Sequence, residues 1–211
     1  LGLRGMLTSN GSLLSTDKIH AIIDMKWDEL HISIDGARAE THDALRGKKG
    51  SFRKAVQSLC LLHQYQRRKQ HQHTQSVIHS VITNRNYTEI PALIELATAI
   101  GVQRIDFDSL IAYRPEQEAL ALNAAQQIEL KAIARTAFEH AESLGIQSTL
   151  AQFCQDTVLE RGQTLPKAGS KKGLAGAPCL KAWHHLVLQA DGRSAPCCVL
   201  AGEGSSIQDQ N

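Results

Sequence analysis

Strand-like and helix-like segments alternate along most of this chain, and no other feature constrains its fold so tightly. The segment ELHISIDG (29–36) places Leu30, Ile32 and Ile34 on one side and His31, Ser33 and Asp35 on the other, which predicts a strand. TQSVIHSVIT (74–83) is β-branched, and RGMLTSNG (4–11) and VQRIDFDSL (102–110) read as strands too. Helical patterns separate them. In STDKIHAIIDMK (15–26), Ser15 is placed to cap a helix whose Ile19, Ile22 and Ile23 share one face. SFRKAVQSLCLLHQYQRR (51–68) is helical. TEIPALIELATAIG (88–101) carries Ile90, Leu93, Ile94, Ala97 and Ile100 at helical spacing, tolerates Pro91 in its first turn and stops at Gly101. A long helix over 123–144 aligns Leu130, Ile133, Ala134, Ala137, Phe138, Ala141 and Leu144 and ends at Gly145. IQSTL (146–150) reads as a further strand.

Such alternation calls for parallel βα units, hence an α/β fold: part of a βα barrel or an open parallel sheet. Ligands in either architecture sit at the carboxyl ends of the strands. Polar residues collect there: Thr8, Ser9 and Asn10; Ser33 with Asp35; Thr83 with Asn84; and Asp106 with Asp108. Each alone is also what a turn or helix cap requires. Together they predict a ligand site along this rim.

Composition narrows the function classes. With 211 residues, 42% hydrophobic and 21% charged, the chain can bury one sizeable core and carry a small appendage. A net charge of +2 with mixed signs gives no reason to expect nucleic acid or a membrane surface. No apolar run approaches the ~20 residues of a membrane span. The absence of a signal peptide points to the cytoplasm, where structural disulfides are rare. Of five cysteines, three lie in CLKAWHHLVLQADGRSAPCC (179–198), so metal binding is the better reading for them. LVLQ is strand-like and ADGR is a turn signal, which predicts a β-hairpin that brings Cys179 toward Cys197. Cys198 ranks behind Cys197, because neighbouring side chains on a strand point opposite ways. RGQTLPKAGSKKGLAGAP (161–178) reads as a linker. Cys60, in the apolar run LCLL, reads as a buried core cysteine, and Cys154 as structural. Ten histidines keep a zinc site conceivable, with His184-His185 beside Cys179 foremost. His71 and His73 read as loop.

The order Cys179, twelve residues, Gly192, four residues, Cys197 resembles the opening of the SPASM (or twitch) auxiliary-cluster domain of radical S-adenosylmethionine enzymes. LTSNGSLLS (7–15) is similar to the Thr-Asn-Gly strand end of their cores, with Ser9 inserted before Asn10. HISIDGARAETHDALRG (31–47) resembles their Ser-x-Asp-Gly … Arg-Gly segment. NYTEIPALIELATAIGVQRIDF (86–107) resembles their next helix–strand unit. The resemblance implies residues 1–160 as the later part of a TIM-barrel-like core, 161–178 as linker and 179–211 as a truncated auxiliary domain. It implies S-adenosylmethionine as cofactor, held by Ser33, by Arg46 at its carboxylate and by Asn10 lining the pocket. It also implies a radical-generating 4Fe–4S cluster and an auxiliary iron–sulfur cluster on Cys179, Cys197 and Cys198. A 5′-deoxyadenosyl radical would take hydrogen from a peptide or small-molecule cofactor precursor, with a flavodoxin or ferredoxin as electron donor. The family's Cys-x-x-x-Cys-x-x-Cys triplet and Gly-Gly-Glu segment are absent. The expectation is therefore a fragment, inactive alone, with no catalytic residue assigned. Two other readings stay open: a degenerate α/β-barrel binding module that cleaves nothing, and a zinc-stabilised α/β protein.

Overall fold

A computed structural model describes residues 3–70, 73–112, 114–154 and 185–196. The elements run β1 (Met6–Ser9), α1 (Thr16–Asp24), β2 (Glu29–Ser33), α2 (Ala39–Arg46), α3 (Ser51–Lys69) and β3 (Gln75–Ile82). A 3₁₀ turn (Tyr87–Glu89) leads into α4 (Ile90–Ile100), followed by β4 (Arg104–Ser109), α5 (Pro115–Glu118), α6 (Ala124–Ser143), β5 (Gln147–Ser148) and α7 (Ala151–Cys154). All five strands are parallel, in the order β1-β2-β3-β4-β5. The chain divides into two compact units, Leu1–Thr164 and Leu165–Asn211.

The helices begin where their sequences provide caps. Ser15 accepts from the Lys18 N–H, and Asn123 and Gln126 cap each other's backbone at the start of α6. α3 has glycine at its cap position, and Asp43 of α2 does the capping from outside. Its carboxylate accepts from the Phe52 N–H (2.8 Å), the Ser51 hydroxyl (2.8 Å) and the Gly50 N–H. Those bonds from Phe52 and Gly50 hold the Asp43 carboxyl below its usual range. α2 was not expected, because only His42 of its eight residues is buried and no apolar stripe marks it.

One face of the sheet packs under the helices. Leu30, Ile32, Ile34, Ile78, Ile82, Ile105 and Phe107 join Ile19, Ile22 and Ile23 of α1, Leu59 and Leu62 of α3, Leu93 and Ile94 of α4 and Leu130 of α6 in one core. Burying each such side chain contributes roughly 1.5–3 kcal/mol. On α6, Leu130, Ala134, Ala137 and Ala141 are buried as expected, whereas Leu144 falls beyond the last turn and is exposed. Cys60 corrects its reading: it is exposed, because its neighbours Leu59 and Leu62 take the inward face of α3. Cys154 packs against the core and bonds the Leu150 carbonyl, and burial pushes its thiol up. β5 is shorter than IQSTL suggested. The Thr149 hydroxyl accepts from the Phe107 N–H (2.7 Å) and donates to the Phe107 carbonyl (2.9 Å), replacing ladder bonds with side-chain ones.

In the second unit, β6 (Val187–Leu188) and β7 (Ser194–Ala195) form the expected antiparallel hairpin. Its turn closes through Gln189 N–H to Arg193 carbonyl (2.8 Å), with Gly192 in the left-handed region at φ 86°. Cys179, Cys197, Cys198 and the 161–178 linker lie outside the described residues.

Candidate functional site

The face of the sheet turned away from the helices is polar. Strand register fixes this: Ser33 of β2 pairs with His79 of β3, and His79 with Asp106 of β4, so all three side chains share that face. The alternation read in β2 is present, and all five of its residues are buried, those of the polar side included. Deep on this inner face lies a closed charge network. The Glu29 carboxylate takes His31 Nε2 at 2.8 Å, Arg4 Nη2 at 2.8 Å and Arg104 Nη1 at 3.4 Å. Arg104 also grips Asp106 through Nε (2.9 Å) and Nη2 (2.7 Å). Burial pushes Glu29 up, but the His31 hydrogen bond and the charges of Arg104, His31 and Arg4 outweigh it and leave it below its ordinary value. Asp106, expected at the rim, is thus committed inside.

Nearer the carboxyl ends, His79 Nε2 donates to Asp108 Oδ2 at 2.7 Å. This bond raises the imidazole's pKa and lowers the carboxyl's. Sequence reading did not single out His79. Its signal was present in the shared parity of His31, His79 and Asp106, readable once strand register is known.

The Ser-x-Asp-Gly stretch ends β2 and turns toward α2. Ser33 is buried, and its hydroxyl makes no hydrogen bond among the described residues. Asp35 is held through all four of its polar atoms. Its N–H donates to His42 Nδ1 (3.1 Å), and its carbonyl accepts from Asn86 Nδ2 (2.6 Å). Its Oδ1 accepts from the Val81 N–H (3.0 Å), and its Oδ2 sits 2.6 Å from Arg46 Nε. Burial keeps His42 below the ordinary histidine value, so its neutral ring can accept at Nδ1. Asn86 also bonds Val81 and Thr83, and Glu89 takes the Ala37 N–H (2.8 Å) and the Thr41 hydroxyl (2.6 Å). Gly36 lets this knot close: a Cβ there would stand 2.8 Å from the His42 backbone nitrogen.

Of the three expected cofactor residues, Ser33 and Arg46 stand at the two ends of this knotted segment. Arg46 lies in the last turn of α2 with its side chain 32% exposed. Asn10 is exposed at the end of β1, where its side chain accepts from the Ser12 N–H at 3.0 Å. Ser9 likewise bonds Gly11, Thr83 bonds Asn86, and Asn84 donates to the Ala119 and Ala121 carbonyls. Three of these rim residues therefore build turns, and Asn84 ties the rim to the segment 119–121. The donors left over, a serine hydroxyl and the terminal nitrogens of a guanidinium, suit the carboxylate of an amino-acid-bearing cofactor. No group of three or more His, Cys, Asp or Glu side chains among the described residues gathers as a metal site. No helix among them is long and apolar enough to cross a membrane.

No protein-family model matches the chain. An AdoMet-dependent heme synthase of Methanosarcina barkeri is 34% identical over 100 residues, 47% of this chain and 27% of that protein. An Fe-coproporphyrin III synthase of the same organism is 27% identical over 110 residues, 52% of this chain and 26% of that one. The chain thus spans about a quarter of the length of these curated relatives. Streptococcus suis SuiB bound to S-adenosylmethionine shares the fold with a TM-score of 0.60 at 11% identity, over 97% of this chain and 44% of that one. Native anSMEcpe with bound AdoMet and the Cp18Cys peptide gives 0.60 at 15%, over 94% and 52%. The sequence relatives and the fold neighbours meet on the radical S-adenosylmethionine enzymes, the family whose strand ends this chain resembles and to which it is similar in sequence and in fold.

Proposed function

We propose that this chain forms the S-adenosylmethionine-binding part of a radical enzyme, with Ser33 and Arg46 holding the cofactor's carboxylate and Asn10 lining the pocket. The observation that carries the reading is the Ser33–Arg46 segment. It ends a parallel strand at its carboxyl end, is knotted through Asp35, and leaves uncommitted donors. When bound, the cofactor and a 4Fe–4S cluster supply a 5′-deoxyadenosyl radical that removes a hydrogen atom from substrate. The chain's own contribution is to bind and orient the amino-acid end of the cofactor.

The substrate in this reading is a peptide or a small-molecule cofactor precursor. Relatives named for heme and coproporphyrin synthesis support the second class, and fold neighbours solved with SuiA or Cp18Cys peptides support the first. We assign residues 1–160 to the core, 161–178 to a linker and 179–211 to an auxiliary domain of SPASM or twitch type. There Cys179, Cys197 and Cys198 ligate a second iron–sulfur cluster. A flavodoxin or ferredoxin supplies electrons, and the protein works in the cytoplasm. The described hairpin at 187–195 supports the auxiliary assignment, since it returns the chain to Pro196.

Two measurements test the reading in the natural protein carrying this chain. Arg46→Ala is expected to weaken S-adenosylmethionine binding by about 10- to 100-fold, the loss of a charge-assisted contact. Arg38→Ala is expected to change little, because Arg38 is exposed. Equal dissociation constants for the two variants refute the assignment. Cys179→Ala and Cys197→Ala are each expected to remove about one cluster of iron, and unchanged iron content in both returns these cysteines to a structural role.

A further inference from the structure

We infer that Asp35 is a positioning residue for Arg46: its anchored carboxylate, 2.6 Å from Nε, holds the guanidinium in place for the cofactor carboxylate. The inference rests on the functional reading above and assigns to Asp35 a role that reading leaves open. Asp35 Oδ2 stands 2.6 Å from Arg46 Nε as an ion pair, and the terminal nitrogens remain to grip a second carboxylate. Asp35 itself cannot swing away. Val81 of β3 fixes its other carboxylate oxygen, Asn86 its carbonyl and His42 its N–H. The residue is buried, whereas the Arg46 side chain retains a third of its exposure, and its terminal nitrogens make no bond among the described residues.

An arginine in the last turn of a helix is favoured there by the helix carbonyls alone, with no ligand needed. That explanation leaves unexplained why a buried carboxylate, anchored to two other elements, reaches the arginine at its least mobile nitrogen. Fixing Nε restricts the outermost torsions of a long side chain before any ligand arrives. Pre-ordering of this kind strengthens binding by removing an entropic cost of ordering.

The test is a double-mutant cycle in the natural protein, read by the dissociation constants of S-adenosylmethionine and of 5′-methylthioadenosine. The second probe keeps the adenosine and sulfur but has no carboxylate. Arg46→Ala is expected to weaken S-adenosylmethionine by about 10- to 100-fold and to leave 5′-methylthioadenosine unchanged. Asp35→Asn preserves shape and is expected to weaken S-adenosylmethionine about 5- to 10-fold, again sparing 5′-methylthioadenosine. The double variant is expected to bind no worse than Arg46→Ala alone, because the two residues act as one unit. Arg46→Lys keeps a charge for Asp35 but offers no planar edge, and is expected to bind as poorly as Arg46→Ala. Additive losses in the double variant overturn the positioning role. So does a loss of 5′-methylthioadenosine binding in Asp35→Asn as large as that for S-adenosylmethionine, since that pattern reports a damaged fold. Arg46→Lys binding as well as the wild type overturns the bidentate grip assigned to Arg46. If Arg46→Ala leaves S-adenosylmethionine affinity unchanged, the functional reading fails. If it weakens binding while the cycle is additive, that reading stands and only the role of Asp35 falls.

Discussion

The two faces of the five-stranded sheet are held by different physics. The helix face is filled by Ile32, Ile78, Ile105, Phe107 and their neighbours, whose contribution is non-directional and grows with buried area. The inner face is filled by Glu29, His31, Arg104 and Asp106, each useful only in one geometry with its partner present. The first face tolerates exchange among apolar residues of similar volume. On the second, removing one member strands the others.

Four experiments can break or sharpen this contrast. The largest effect is expected from Phe107→Ala, which empties a fully buried position and should lower stability by about 3–5 kcal/mol in chemical denaturation. A loss under ~1 kcal/mol would mean the helix face is loosely packed. Arg104→Met comes next. It removes the two Arg104 bonds to Asp106 and one contact to Glu29, and should cost about 1–3 kcal/mol. If it stabilises the protein, the network is a burden on the fold.

The third experiment sets one histidine of each face against the other by NMR titration. His63 faces Ser76 on the helix side, and burial, then the Arg67 charge, lower its pKa. Its neutral form is the one favoured by folding, so its contribution is present above the ordinary histidine value and is lost as pH falls through its lower folded value. His79 on the inner face is raised by Asp108, so its contribution is present below the ordinary value and is lost as pH rises through its higher folded value. Titration of both on the same side of the ordinary value would remove the distinction. The smallest effect belongs to Cys60→Ser, outside both faces, which should change stability by no more than about 0.5 kcal/mol. In the folded wild type, Cys60 is expected to react with a thiol reagent well before Cys154. The reverse order would contradict their placement.

The helix face was legible in the sequence because apolar periodicity is a local signal. Ile19, Ile22 and Ile23, or Leu30, Ile32 and Ile34, announce their face without knowledge of any partner. The inner face was not. That Arg104 reaches Glu29 depends on the relative register of strands 75 positions apart, which no local pattern contains. The candidate site falls between these cases. Ser33 and Arg46 were named from a resemblance. The residues that tie their segment, Asn86 and Glu89, lie at the start of the next unit, where the pattern showed only a helix about to begin.

The knot around Asp35 also has a timetable. Asn86 lies 51 residues beyond the carbonyl that it holds, and Glu89 lies 52 beyond Ala37. On a ribosome adding about 5–20 residues per second, the Ser33–Arg46 segment waits roughly 3–10 s for the partners that fix it. For most of that interval β2 has neither its neighbour β3 nor its anchoring side chains. The hairpin at 187–195 has no such wait, because its partners are a few residues apart and such turns close within about 1–10 μs. The Ser33–Arg46 segment is therefore the part whose birth depends on residues synthesised after it, and nascent chains stalled before residue 86 are where a chaperone or a protease would find it.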